Sequence, residues 1–155
     1  MKDMKLESGT IIIVDDNPDY ARLAQLLLAR ICPQLSSVTM HSGRELISYL
    51  ECEEGYSDRT KSSYPILILL DLRMPVMNGF DILLWLRDHP PHHRIPVVVL
   101  TSCGEIELAK RAYALGARSF LTKPLGAKDF ENMMHELEQW LRPEGAATRQ
   151  AARAS

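Results

Sequence analysis

Three apolar runs in this chain each end on residues able to hold a metal ion or a phosphoryl group. Ile11-Ile12-Ile13-Val14 runs into Asp15-Asp16, Ile66-Leu67-Ile68-Leu69-Leu70 into Asp71, and Val97-Val98-Val99-Leu100 into Thr101-Ser102. A shorter run, Ser119-Phe120-Leu121-Thr122, delivers Lys123-Pro124. Branched apolar runs of this length, bounded by polar groups, read as strands buried on both faces, and such strands form parallel sheets. Ligands of open parallel sheets bind where the carboxyl ends of the strands meet. Three carboxylates, a hydroxyl and an ammonium are therefore expected at one spot.

Like charges gathered this closely repel. At an effective dielectric near 20, a pair of carboxylates ~5 Å apart costs about 3 kcal/mol. A fold tolerates that where a divalent cation belongs, and carboxylate oxygens with room for water suit Mg²⁺. One aspartate can then attack phosphorus while the metal and a lysine neutralise the phosphoryl oxygens. The Thr101 hydroxyl can donate to another of those oxygens. Each piece has an ordinary reading by itself. An Asp after a strand usually caps a helix, Asp15-Asp16 can be a plain strand-to-helix turn, and a Lys before a Pro is usually surface. Their joint occurrence on successive strand ends is what points to a site.

The elements that must position these groups follow from the pattern. After a polar stretch at residues 1–9, expected to be a flexible arm, a strand covers Thr10 to Val14. Asn17 suits a helix N-cap and Pro18 the first helical position. Tyr20, Leu23, Ala24, Leu27, Leu28 and Ile31 form the apolar face of that helix, which Pro33 ends. A short strand holds Val38 and Met40, and a second helix runs from Gly43 to about Glu54. A long polar loop, 55–64, leads to the third strand, Pro65 to Leu70. Asn78-Gly79 precedes a helix over Phe80 to Asp88. His89-Pro90-Pro91-His92-His93 reads as a non-helical turn. A strand over Pro96 to Leu100, a helix over Glu105 to Leu115 with Gly116 as its C′ residue, a strand over Arg118 to Thr122 and a helix over Ala127 to Leu141 complete the series. Strand and helix alternate five times, which predicts an α/β, doubly wound, five-stranded parallel sheet flanked by five helices. Residues 142–155 are Ala-rich and expected to be disordered.

Composition fits this picture. The chain has 155 residues, 46% hydrophobic and 25% charged, enough for one ordinary domain with one real core. A net charge of −2 without a basic stripe argues against nucleic-acid binding. Three cysteines, Cys32, Cys52 and Cys103, show no paired spacing, which favours a reducing cytoplasm over a disulfide framework. No apolar segment approaches a membrane span or a secretory signal. His89, His92 and His93 lie in a Pro-broken loop poorly suited to a metal and are read as solvated. Trp85 falls off the inward face of its helix, covered either by a neighbouring loop or by a partner, and Trp140 raises the same choice.

The motifs Ile-Val-Asp-Asp-Asn, Leu-Leu-Asp-Leu-Arg-Met-Pro-Val-Met-Asn-Gly, Val-Val-Leu-Thr-Ser and Phe-Leu-Thr-Lys-Pro-Leu occur in this order. As a set the chain resembles the receiver domain of response regulators, of the chemotaxis-receiver class and flavodoxin-like fold, over residues 10–141. The resemblance implies that Asp71 is the phosphoacceptor. It implies Asp16 as a direct Mg²⁺ ligand, Asp15 as a ligand through water, and Arg73 as a ligand through its backbone carbonyl. Thr101 and Ser102 fall in the switch-hydroxyl segment, Lys123 matches the phosphoryl-binding lysine, Pro124 is the candidate cis-proline after it, and Phe120 takes the aromatic switch position. A sensor histidine kinase or histidine phosphotransfer protein is the implied donor. A homodimer through the fourth helix, fifth strand and fifth helix is a possible output. The long loop and the His-Pro segment resemble stand-alone receivers that serve phytochrome-type kinases.

Two rivals share parts of this chemistry. An aspartyl-phosphate phosphatase of the haloacid-dehalogenase type also sets Asp, Thr and Lys on parallel strand ends. It expects Asp-x-Asp after its first strand and an acidic pair late in the chain, whereas here the pair is first and contiguous. A flavodoxin-like cofactor binder needs a phosphate-cradling first loop, and Asp15-Asp16-Asn17-Pro18-Asp19 would repel a phosphate.

Overall fold

The computed structural model describes residues 8–51, 64–101, 106–123 and 126–141. Five strands, β1 (Thr10–Val14), β2 (Ser36–Met40), β3 (Pro65–Asp71), β4 (Val97–Thr101) and β5 (Ser119–Thr122), form one parallel sheet in the order 2-1-3-4-5. Five helices alternate with them: α1 (Pro18–Ile31), α2 (Gly43–Leu50), α3 (Gly79–Arg87), α4 (Ile106–Ala114) and α5 (Ala127–Trp140).

The strand pattern decides the layering. Successive side chains of a strand point to opposite faces. Ile11 and Ile13 of β1 face one apolar layer with Ala21, Ala24 and Leu28 of α1 and Phe130, Met133 and Met134 of α5. Ile12 and Val14 face the other, with Leu46 of α2, Ile82 and Leu83 of α3 and Ala112 of α4. All five residues of β1 and of β4 are buried, because helices cover both faces. β2, at the sheet edge, is only partly covered. This explains why its sequence is polar and why only its last three residues announce a strand.

Helix starts are set locally. The Asn17 side chain accepts from the Asp19 amide at 2.9 Å, and Ser42 accepts from Glu45 at 3.2 Å. Asn78 and Asp81 cap α3 reciprocally, each bond 3.0 Å long. Gly116 leaves α4 with a φ of +109°, a conformation that favours glycine.

Several expected boundaries shift. β3 and β4 each extend one residue further than expected, so Asp71 and Thr101 are themselves the last strand residues. Within the described residues α2 ends at Leu50. The segment after α3 is not wholly irregular: His92–Arg94 form a single 3₁₀ turn. His92 is buried there, not solvated, its Nδ1 2.8 Å from the Tyr64 hydroxyl and its ring stacked near Trp85. Trp85 in turn stacks on His89, with centroids 4.0 Å apart. Its cover is therefore this neighbouring turn. Trp140 packs at the edge of the α1–α5 layer. Among the described residues the cis peptide bond is Pro90–Pro91; the candidate Pro124 lies outside them, as do Ser102, Cys52 and Cys103. No described helix is long and apolar enough to cross a membrane.

Candidate phosphoacceptor and metal site

Strand order reverses between β1 and β3: the chain leaves β1 toward β2 on one side, and β3 continues toward β4 and β5 on the other. A crevice must open at the carboxyl ends of these two strands. It is a cavity of about 380 Å³ whose walls include Asp15, Asp16, Tyr20, Asp71, Thr101 and Lys123. Arg73 also lines it. Phe120 does not; it sits on β5 with its ring edge-on to Tyr113, centroids 5.9 Å apart.

Each group arrives by a separate backbone device. Asp15 directly follows β1, and its own amide donates to the Met40 carbonyl of β2 at 2.9 Å. Its carboxylate accepts from the Asn17 amide at 2.9 Å, which folds the chain toward α1. Asp71 ends β3 and accepts from the Arg73 amide at 3.3 Å. The Lys123 amide donates to the Thr101 carbonyl at 2.8 Å, so the β4 and β5 tips are tied together. Gly79 permits the close return of α3 onto β3: a Cβ there would lie 2.8 Å from Leu72 Cα and 2.9 Å from the Asp71 carbonyl oxygen.

The charges are unevenly compensated. Lys123 Nζ stands 2.8 Å from Asp15 Oδ2 and 3.6 Å from Asp71 Oδ1. Asp15 is buried and Asp16 exposed. The Lys123 ammonium is thus shared by Asp15 and Asp71. Burial pushes the Asp71 carboxyl up, from 3.8 to about 6. Lys123 and the Arg73 amide pull it down, and the charges of Asp15 and Asp16 push it further up, but desolvation is the largest influence.

Oxygens of Asp15, Asp16 and Asp71 lie within 4.8 Å of one another. An all-carboxylate donor set of this size fits a hard divalent cation rather than a thiolate- or imidazole-loving metal. On the neighbouring strand, Thr101 is buried at the tip of β4 and lines the same cavity.

Two neighbours of the site were not legible in the sequence. Tyr20 belongs by spacing to the apolar face of α1, yet at the first turn that face reaches the strand tips, and the ring lies 4.4 Å from Lys123 Nζ. His41 follows β2, and its Nδ1 is 3.1 Å from the Asp15 carbonyl oxygen. The only sequence signal for His41 is its place one residue past a strand end.

Residues 11–138 match the family described as the response regulator receiver domain. Response regulator Rcp1 of Synechocystis sp. (strain ATCC 27184 / PCC 6803 / Kazusa) is 30% identical over 142 residues, covering 91% of this chain and 95% of its own. The crystal structure of its Mn²⁺-bound form superposes with a TM-score of 0.69 at 30% identity, over 86% of this chain and 95% of that one. The phosphorylated cyanobacterial phytochrome response regulator RcpA is 32% identical, with a TM-score of 0.71 over 86% of this chain and 94% of that one. The bacteriophytochrome response regulator RtBRR is 28% identical, with a TM-score of 0.75 over 90% and 87%.

Proposed function

Because this chain belongs to the response regulator receiver domain family of two-component signalling, we propose that Asp71 accepts a phosphoryl group from a phosphohistidine of a sensor kinase or phosphotransfer protein. The observation that carries this reading is the single cleft in which Asp71, two further carboxylates, a buried threonine and a lysine meet. In the reaction a carboxylate oxygen of Asp71 attacks phosphorus. The O–P bond forms as the N–P bond breaks, and the imidazole nitrogen keeps the electron pair and takes up a proton. The product is an acyl phosphate.

Each residue has a part in this. A carboxyl raised to about 6 is still mostly ionised at pH 7, and it is more basic, hence a better nucleophile, than a free aspartate. Lys123 turns from Asp15 to a phosphoryl oxygen, and the Thr101 hydroxyl donates to another. Mg²⁺ would be held by Asp16 and Asp71, the backbone carbonyl of Arg73, and Asp15 through water. It would supply positive charge against the phosphoryl oxygens. The Mn²⁺-bound form of Rcp1 and the phosphorylated form of RcpA support both the metal and the modification for relatives of this size.

The signal is a population shift. Thr101 drawn toward the phosphoryl group leaves space that Phe120 enters, and α4, β5 and α5 present an altered surface for a partner or a second copy. Phe120 has no hydroxyl to anchor the turned-in ring, so its inward state is held by packing alone. In this reading residues 10–141 form the receiver unit, the chain works in the cytoplasm, and it contacts neither nucleic acid nor membrane directly. Ser102 and Pro124 keep their sequence-based assignments beside the switch and after the lysine.

The test is phosphorylation by acetyl phosphate with Mg²⁺, read by intact mass and by a phosphate-affinity gel. The wild type gains one labile phosphoryl group, and Asp71→Asn gains none. A phosphorylated Asp71→Asn would remove Asp71 from the role. Sustained turnover of p-nitrophenyl phosphate would favour the phosphatase instead.

A further inference from the structure

Lys123 is held from three sides, and only two of them are carboxylates. The third is the face of Tyr20, whose ring centroid lies 4.4 Å from Nζ. Tyr20 is the third residue of α1 and half-buried against the cleft. The Lys123 side chain is 14% exposed, with Asp15 Oδ2 at 2.8 Å and Asp71 Oδ1 at 3.6 Å.

We propose that Tyr20 is a positioning residue for Lys123, its ring face keeping the ammonium in the cleft and free to pass from Asp15 to an incoming phosphoryl oxygen. This rests on the phosphoacceptor reading of the cleft and adds to it a residue on α1. Lysine carries its charge on a flexible four-carbon stem, so without a wall it has solvated rotamers that leave the site. A carboxylate in the place of the ring would hold the ammonium too, but it would compete with the phosphoryl group for it and add a fourth negative charge. A water would offer an exit. An aromatic face does neither: it attracts a cation through its quadrupole and has no lone pair aimed at one position. The ammonium can therefore shift across it while exchanging partners. The ring supplies the attraction and the phenol hydroxyl takes no part, so phenylalanine serves equally.

The test uses the whole chain, acetyl phosphate as donor and saturating Mg²⁺. Tyr20→Leu lowers the maximal phosphorylation rate about three- to tenfold, the size of a partly desolvated cation–π contact. It leaves Mg²⁺ affinity within about twofold, a split that general damage to the cleft would not give. Tyr20→Phe restores the rate. In a Lys123→Ala background, Tyr20→Leu costs nothing further, because the ring acts only through the ammonium. A reading without activity comes from the metal-free chain: the Lys123 ε-methylene protons are shifted upfield by the Tyr20 ring current, and that shift persists in Tyr20→Phe and vanishes in Tyr20→Leu. Should Tyr20→Leu not fold, phenylalanines with increasing ring fluorination at position 20 keep the shape and drain the negative face, and the rate falls with each step.

A Tyr20→Leu rate equal to wild type, a Tyr20→Phe loss as large as the Leu loss, or a rate indifferent to fluorination overturns the role of Tyr20 while leaving the phosphoacceptor reading intact. A wild type that takes up no phosphate fails the phosphoacceptor reading, and this assignment falls with it.

Discussion

Asp71→Asn should make the metal-free protein more stable, and only above a definite pH. Burial raises the Asp71 carboxyl from 3.8 in a free chain to about 6 in the fold. Between those values the native state holds a proton that the unfolded state has released. Stability then falls as pH rises through the window and levels off above it. At about 1.4 kcal/mol per pH unit, the full cost of the ionised group is at most about 3 kcal/mol. Asparagine copies the protonated form and carries no such cost. Urea titrations in EDTA, at steps from pH 3.5 to 8, should show the two proteins converging at the acid end. By pH 7 they should be separated by about 2–3 kcal/mol in favour of the variant. The comparison isolates Asp71, since every other titrating group is common to both chains. Mg²⁺ should close the gap by binding the folded wild type, with a gain of about 2.7 kcal/mol at a hundredfold excess over its dissociation constant and a smaller gain for the variant. A gap that stays flat with pH, or a variant less stable than wild type at pH 7, would refute burial as the dominant influence on this carboxyl.

Three further substitutions test how the scaffold aims the site. Gly79→Ala should cost about 1–3 kcal/mol in urea denaturation, because its Cβ would meet the backbone of Leu72 and the Asp71 carbonyl under 3 Å away. It should also slow phosphorylation through a displaced Asp71. Phe130→Ala should cost about 3–5 kcal/mol in thermal or urea unfolding, since the ring is fully buried where α5 meets the sheet. Asn78→Ala removes half of the reciprocal α3 cap and should lower stability by about 1 kcal/mol without changing the urea m-value.

How much of this could be read from the sequence depended on how each residue is constrained. The middles of β1, β3 and β4 are buried on both faces, which favours branched apolar residues there, and the runs announce themselves. Their polar terminators mark the tips, and one rule of parallel sheets brings the tips together. β2 has a solvated side, and its sequence carries the weaker signal accordingly. The contact of Tyr20 with Lys123 joins residues a hundred positions apart. Helical spacing gives the face on which Tyr20 lies, but not that the first turn of the face overhangs the cleft. The burial of His92 is hidden from the sequence for a related reason. A Pro-rich segment looks exposed from its own composition, and the cover comes from Tyr64 and Trp85, one before and one within α3.

The uneven charge of the cleft accounts for how a small modification could move a large surface. Three carboxylates stand beside the Lys123 ammonium, with Arg73 also on the wall, and a divalent cation would offset their excess negative charge. On the proposed reading, phosphorylation replaces the single charge of Asp71 with the two of an acyl phosphate, so the cleft gains one negative charge. In a partly buried site that excess is relieved by whatever donors can approach. Lys123 is already present, held by Asp15 and the Tyr20 face. The buried Thr101 hydroxyl, at the tip of the adjacent strand β4, is a neutral donor on the same cleft. On this reading its approach pulls on α4, the next element of the chain, and α4 is lightly held. Its buried side chains are two alanines, Ala109 and Ala112, whereas α5 is anchored by Phe130, Met133, Met134 and Leu137. At about 25 cal/mol for each Å² of apolar surface buried, two methyl-sized side chains hold far less than one phenyl and three long aliphatic ones. On the proposed reading, the added charge supplies the pull, and the light packing of α4 sets where the structure gives way.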